Sequence, residues 1–455
     1  VGEGGGLPVE LVGDGIEVQC ADGVDRPYLS LDAAASTAAL PAVWEQVRGA
    51  LEWYSSVHRG AGQKSQASTA AYESARAAAL AFAGRTSPSH LAIFCRNTTE
   101  AINLLAYRLG IGEEDVVVTT VVEHHANLLP WSRRAQCRYV ECGPEGTFGV
   151  DDVCAALDQH PRPRLLAVTG ASNITGWLPP LDRIIEAAHE RSVPVVVDAA
   201  QLAPHRPLPA GADYVAWSGH KMYAPFGTGV LVGPRETFAS GDPFLAGGGA
   251  VDLVDLDEVL WADPPEREEA GSPNVLGAVA LHAAIDALGA LGWEAVAAHD
   301  REIARRLRHG VAAVPGVRLL GPPGDVETLP VATFVVEGVP HSLVAARLAE
   351  EHGIGVRHGC FCAHPYLVRL LGLGADELRV HRQEVRNGER RNLPGAVRAS
   401  GGLDTSGADV DRFLDALRRI AGGVPSPITY VQDALTGDHR PAGGLRLPHG
   451  AHRPV

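Results

Sequence analysis

The four residues Ser218-Gly219-His220-Lys221 carry the strongest chemical signal in the chain. A lysine at a strand end, flanked by a hydroxyl and an imidazole, is placed to hold an aldehyde cofactor as a Schiff base. Its neighbours are placed to bind that cofactor's phosphate. The competing reading is an ordinary solvated lysine in a surface turn. Composition weighs against it. Of 39 Lys and Arg residues only two are lysines, Lys64 and Lys221, so chemistry that needs an amine has two candidates. Lys64 lies in the polar run Gln63-Lys64-Ser65-Gln66 and is the weaker one.

Other residues supply what a pyridoxal-type cofactor requires. Asp198 closes the apolar run VPVVV, where an isolated carboxylate would be expensive. A protonated pyridine nitrogen would compensate it and make the ring an electron sink; a helix N-cap or turn role is the alternative. Gln201 follows three residues later, in range of a ring hydroxyl. Arg96-Asn97-Thr98-Thr99-Glu100 opens a helix. Asn97 and Glu100 have capping-box spacing, while the free N–H groups and the Thr98 and Thr99 hydroxyls suit a phosphate. His124, in Glu123-His124-His125-Ala126-Asn127, offers an imidazole to stack on a planar ring. The spacing there is not HExxH, and no GxGxxG or GxxxxGK[ST] follows a strand, so zincin, dinucleotide and Walker-type sites lack support.

The stretch Arg357-His358-Gly359-Cys360-Phe361-Cys362-Ala363-His364-Pro365 offers a second kind of chemistry. No second Cys/His cluster completes a tetrahedral metal site, and no metal is expected. A nucleophilic thiol with arginine and histidines beside it is the sharper reading.

These residues need elements to position them. Residues 98–109 and 181–191 read as helices. Residues 115–120, 165–169, 193–197, 213–217 and 229–232 read as short, almost wholly apolar strands. Such runs separated by helices indicate an α/β fold with a mainly parallel sheet covered on both faces. Past Gly271-Ser272-Pro273 long helices at 275–291 and 293–309 lead to a smaller βαβ-like stretch (331–336, 341–352, 355–357), and a last helix spans 408–420. The expected organisation is an N-terminal segment, 1–35, joining the small domain; a large domain, 36–295; a small C-terminal domain, 296–423, carrying the Cys362 loop; and an extended tail, 424–455. Residues 380–392 read as an irregular, arginine-rich insertion.

A net charge of −15 disfavours a nucleic-acid or anionic-membrane binder. No apolar run approaches the roughly 18–20 residues that span a bilayer, and the first residues lack a signal-peptide pattern. Seven cysteines without regular spacing suggest free thiols. A cytoplasmic protein is expected.

Together the segments resemble the class V branch of fold-type I pyridoxal phosphate enzymes, specifically the cysteine desulfurase and selenocysteine lyase family. The likeness runs over about residues 31–420. It rests on Val57-His58-Arg59-Gly60, NTTEAIN at 97–103, EHHANLLPW at 123–131, Ser172-Asn173-Ile174-Thr175-Gly176 and VDAAQ at 197–201. The Ser218–Lys221 quartet, AGSPN at 270–274 and Val397-Arg398-Ala399-Ser400 complete it.

The resemblance implies that Lys221 is the Schiff-base lysine and proton shuttle, Asp198 the pyridine-nitrogen partner and His124 the stacking histidine. Asn173 and Gln201 would contact the ring hydroxyl side. Thr98, Thr99, Ser218 and His220 would bind phosphate, with Ser272 donated from the other subunit. Arg398 and Asn173 would hold the substrate carboxylate, Arg357 precedes the catalytic loop, and Cys362 is its cysteine. His58 and Arg59 belong to the same substrate side and, with Ser272, imply a homodimer whose site lies at the interface. The implied reaction converts L-cysteine, or selenocysteine, to L-alanine and leaves a persulfide on Cys362 for a sulfur-acceptor protein. A C–S lyase, epimerase or class V aminotransferase is the alternative on the same cofactor.

Overall fold

The structure, a computed structural model, describes residue 7 and residues 9–324 and 326–444. Its centre is a seven-stranded sheet in the order His90–Cys95, Gly229–Pro234, Tyr214–Ser218, Val195–Asp198, Leu165–Thr169, Val116–Thr120, Gln136–Val140. The last five run parallel, and Gly229–Pro234 is antiparallel to both of its neighbours. Val116–Thr120, Leu165–Thr169, Val195–Asp198 and Tyr214–Ser218 are buried at every residue, which is why they read as unbroken apolar runs rather than alternating ones.

Strand Val116–Thr120 is followed in sequence by a strand on one side of it, Gln136–Val140, and then by Leu165–Thr169 on the other. Such a reversal opens a crevice at the carboxyl ends of the strands, the place where open α/β sheets bind ligands. His124, Asn173, Asp198 and Lys221 all come just after, or at, those carboxyl ends.

A smaller antiparallel sheet follows, ordered Val317–Leu320, Val331–Val336, Ala396–Ser400, Arg357–Gly359. Ile303, Leu307, Phe334, Leu348, Phe413 and Leu417 close a separate core against it. Leu29–Ser30 pairs in parallel with Ile354–Gly355, so the chain's early segment is tied to this second unit.

Two stretches differ from the sequence expectation. Ala375–Arg386 is a regular helix with no buried residue, so residues 380–386 of the stretch read as irregular are helical. Its amphipathic period is marked by arginine and histidine rather than by aliphatic side chains, which hides it from a hydrophobicity reading. Within the expected 424–455 tail, Tyr430–Gln432 and His439–Pro441 form a hairpin packed on helix His341–His352. Residues 1–6 and 445–455 of the expected terminal segments lie outside the described residues.

The edge strand His90–Cys95 is fixed by one carboxylate. Glu269 accepts hydrogen bonds from Arg76 Nη1 (2.7 Å), Tyr72 Oη (2.8 Å) and the Phe94 N–H (2.7 Å), with both the Arg76 and Glu269 side chains buried. Removing one partner of a buried pair strands the other charge. Glu269→Gln is therefore expected to destabilise the protein by about 3 kcal/mol, read as a lower midpoint in denaturant unfolding.

Candidate active site

Each carboxyl end of the sheet delivers one part of the site. Strand Tyr214–Ser218 runs into the single turn Gly219–Lys221, which swings Lys221 against the cavity wall. Ser218 at the strand's last position takes a hydrogen bond from the Thr98 N–H (2.8 Å) and lies 2.7 Å from the Thr98 hydroxyl. This joins it to the N-terminus of helix Thr98–Arg108, capped by the Asn97 side chain. Gly229 makes that approach possible, since a Cβ there would lie 2.6 Å from Asn97 Cα. Thr99 and His220 line the same end of the cavity.

Asp198 is buried at the end of its strand, and among the described residues its carboxylate accepts only the Ala200 N–H (3.0 Å). Burial pushes its pKa up, and the nearby Lys221 opposes that rise. Burial likewise pushes the Lys221 ammonium down to about 8, with Asp198 again the main opposing charge and Arg398 adding to the fall. The two groups thus share a poorly solvated space without a direct ion pair.

His124 is held by its surroundings. The Glu123 carboxylate accepts hydrogen bonds from Thr120 Oγ1 (2.8 Å), the Thr169 N–H (3.0 Å) and Asn127 Nδ2 (2.7 Å), stitching two strand ends to the loop between them. His124 Nδ1 accepts the Ala126 N–H at 3.1 Å. Burial, reinforced by Lys221, pushes its imidazole down to about 3, so the ring is neutral.

The second unit contributes Arg398, Arg357 and the cysteine loop. Arg398 is buried and donates to the Asn173 carbonyl (2.9 Å) and to Asp32 Oδ1 (3.0 Å), while its Nε has no partner among the described residues. Burial lowers its pKa to about 10 against the pull of Asp32. Arg357 also donates to Asp32 (2.9 Å), so one carboxylate organises both guanidiniums. Phe361 and Cys362 each have φ of 55°, two successive residues in the left-handed region that side chains disfavour. Two cross-links hold them. Asn173 Nδ2 donates to the Phe361 carbonyl and the His125 N–H donates to the Cys362 carbonyl, each at 2.7 Å. Cys362 is exposed to the cavity, within electrostatic reach of Lys221 and Arg398.

One cavity of about 1120 Å³ therefore gathers residues from the sheet ends and the second unit. Gln201 lines it too, its side chain anchored on the Ala34 carbonyl (2.7 Å). His58, Arg59 and Ser272 stand outside the cavity of their own chain. The His58 N–H donates to Thr69 Oγ1, Arg59 donates to the Val251 carbonyl, and Ser272 is exposed. Among the described residues no three His, Cys, Asp or Glu side chains converge as a metal site. Sequence reasoning missed the bridging role of Asp32, although the residue sits in the LDAAAST stretch where the resemblance begins.

The chain matches the family described as aminotransferase class-V over residues 29–413. It belongs to that family. A cysteine desulfurase from Dickeya dadantii is 35% identical over 408 residues, covering 87% of this chain and 92% of the relative. A probable cysteine desulfurase from Mycobacterium leprae is 36% identical, covering 68% and 76%. Among solved structures, a cysteine desulfurase from Thermococcus onnurineus superposes with TM-score 0.77 at 30% identity, covering 87% of this chain and 95% of that one. The cysteine desulfurase CsdA from Escherichia coli gives 0.73 at 31%, covering 88% and 96%.

Enzymes of this family work with pyridoxal 5'-phosphate. The cavity fits it. A buried carboxylate without a cationic hydrogen-bond partner, a lysine with a depressed pKa, and hydroxyls at a helix N-terminus match its ring nitrogen, aldehyde and phosphate in turn.

Asp32 carries the arginine pair. Asp32→Asn should leave buried Arg398 without its counter-charge and lower stability by about 3 kcal/mol, visible as a reduced Tm.

Proposed function

We propose that the chain is a pyridoxal 5'-phosphate-dependent cysteine desulfurase, converting L-cysteine, or selenocysteine, to L-alanine with the released sulfur held on Cys362. The single observation that carries this reading is the placement of Cys362: an exposed thiol lining the cavity, on a loop cross-linked to the sheet, within electrostatic reach of Lys221 and Arg398.

When bound, the cofactor supplies an electron sink that stabilises negative charge developing at the substrate's α-carbon. The chain's own residues do the rest. Thr98, Thr99, Ser218 and His220 hold the phosphate. Asp198, whose carboxylate accepts only one backbone N–H among the described residues, would hold the ring nitrogen protonated, and Gln201 and Asn173 would meet the ring hydroxyl side. His124, neutral, would cover the ring without competing for a proton. Arg398 binds the substrate carboxylate, with Asn173 and Arg357 beside it. Lys221 would tether the cofactor and move the substrate's α-proton. Cys362 Sγ attacks the substrate sulfur: a new S–S bond forms, the carbon–sulfur bond breaks, and alanine leaves.

Ser272, His58 and Arg59 complete the site of a second copy in this reading, which makes the active enzyme a homodimer. Cysteines that are all free in the described structure support residence in a reducing cytoplasm. The residue blocks 36–295 and 296–423 are the two domains of each copy in this reading, with their boundary within the long helices.

Replacing Cys362 with Ala is expected to lower alanine release from cysteine by at least about 100-fold while leaving the cofactor's visible absorbance intact. Unchanged alanine, or pyruvate and ammonia in its place, assigns a C–S lyase or another reaction on the same cofactor.

Lys221 sets a pH signature. With its pKa lowered to about 8, the amine is protonated below that pH and nucleophilic above it. The rate at which apoprotein takes up pyridoxal 5'-phosphate should climb about tenfold per pH unit up to 8 and then level off. Stopped-flow absorbance reads this directly, and Lys221→Ala should abolish the covalent link.

A further inference from the structure

The cavity does not end at Cys362. It continues past Gly359 and Cys360 to the helix Ala375–Arg386 and the loop behind it. Leu378, His381, Arg382, Val385 and Arg386 line this annex. Their spacing of three and four residues places them on one helix face, so the helix turns its cationic stripe inward. Arg390 lines it from the loop that follows.

The charges are unusual for this chain. The cavity's other arginines are neutralised: Arg357 and Arg398 by Asp32, and Arg369 by Glu141. Arg382, Arg386 and Arg390 have no side-chain hydrogen bond or ion pair among the described residues. Only Asp198 and Asp438 bring negative charge to the lining, and Asp438 lies 3.6 Å from His358. A chain with a net charge of −15 thus keeps three unpaired guanidiniums on one end of its active cavity.

We propose that the annex binds the anionic part of the molecule that takes sulfur from Cys362, a small thiol carrying carboxylate or phosphate groups. This rests on the desulfurase reading above. The amino-acid substrate has one carboxylate, already met by Arg398 on the Lys221 side, and leaves the annex unused. The cavity of about 1120 Å³ takes in the cofactor residues, and its lining still continues past Cys362 into the annex. Guanidinium groups bind carboxylate and phosphate through paired N–H donors, and Leu378 and Val385 cover an apolar stem between anion and thiol. The transfer balances without an oxidant. The acceptor thiolate attacks the outer sulfur of the Cys362 persulfide, a new S–S bond forms, the old one breaks, and Cys362 leaves as thiolate.

The test compares acceptors on the holoenzyme, with cysteine as donor and alanine and acceptor persulfide as products. Mercaptosuccinate should saturate the wild-type enzyme at a concentration at least about tenfold lower than 2-mercaptoethanol. The triple variant Arg382→Gln/Arg386→Gln/Arg390→Gln, in which none of the replaced residues is buried, should erase that advantage and leave 2-mercaptoethanol turnover within twofold. Succinate should compete with mercaptosuccinate and not with cysteine. Equal use of both thiols by the wild type, or equal loss with both in the variant, overturns the proposal. So does an arginine-dependent preference for S-carboxymethylcysteine over S-methylcysteine, which would make the annex a donor site. Absence of any Cys362 persulfide by mass spectrometry overturns the desulfurase reading instead. In that event calorimetry of succinate with holoenzyme decides the annex alone: heat lost in the variant supports the anion site, and unchanged heat overturns it.

Discussion

Asp198 and Lys221 sit at adjacent strand ends in a space that solvates neither well, and the molecule is built around that tension. Burial raises the pKa of one and lowers that of the other, while each opposes the other's shift. Isolated charges in such a place are costly unless compensated. A cofactor with a protonated ring nitrogen and an electrophilic aldehyde meets both needs at once. The surrounding strands are buried along their whole length, so these two side chains have no other environment to seek.

The second constraint is mechanical. The cysteine loop belongs to the smaller sheet, yet its backbone carbonyls are bound by Asn173 and His125 from the larger one. Those two hydrogen bonds support two consecutive left-handed residues. Asp32 holds Arg357 and Arg398 together within the smaller unit, and Arg398 reaches across to the Asn173 carbonyl. The thiol is therefore positioned by hydrogen bonds between distant parts of the chain.

Much of the site was legible because its residues follow apolar runs. VPVVV before Asp198, DYVAW before Ser218 and DVVVTT before the histidines each announce a buried strand whose carboxyl end must hold something polar. The four-residue quartet at Lys221 stood out further through the rarity of lysine. Helix Ala375–Arg386 was not legible, because its inward face is cationic and its period is invisible to a search for hydrophobic stripes. The hairpin at Tyr430–Pro441 was missed for a related reason. Its strands are three residues each, too short for an alternating pattern to emerge among Pro, Gly and His.

The sequence by itself determined the chemistry: which amine, which buried carboxylate, which imidazole and which thiol the chain possesses. Each is written locally, in a strand run and the residue that terminates it. Only the tertiary structure decided what those groups face. Asp32 lies 325 residues from Arg357 and 366 from Arg398, and the arginine stripe turns toward a cavity formed by elements from both sheets. Contacts at such separation have no local signature, since the residues that meet are chosen by how two cores pack. The same fold that leaves His58, Arg59 and Ser272 outside their own cavity brings three unpaired arginines into it.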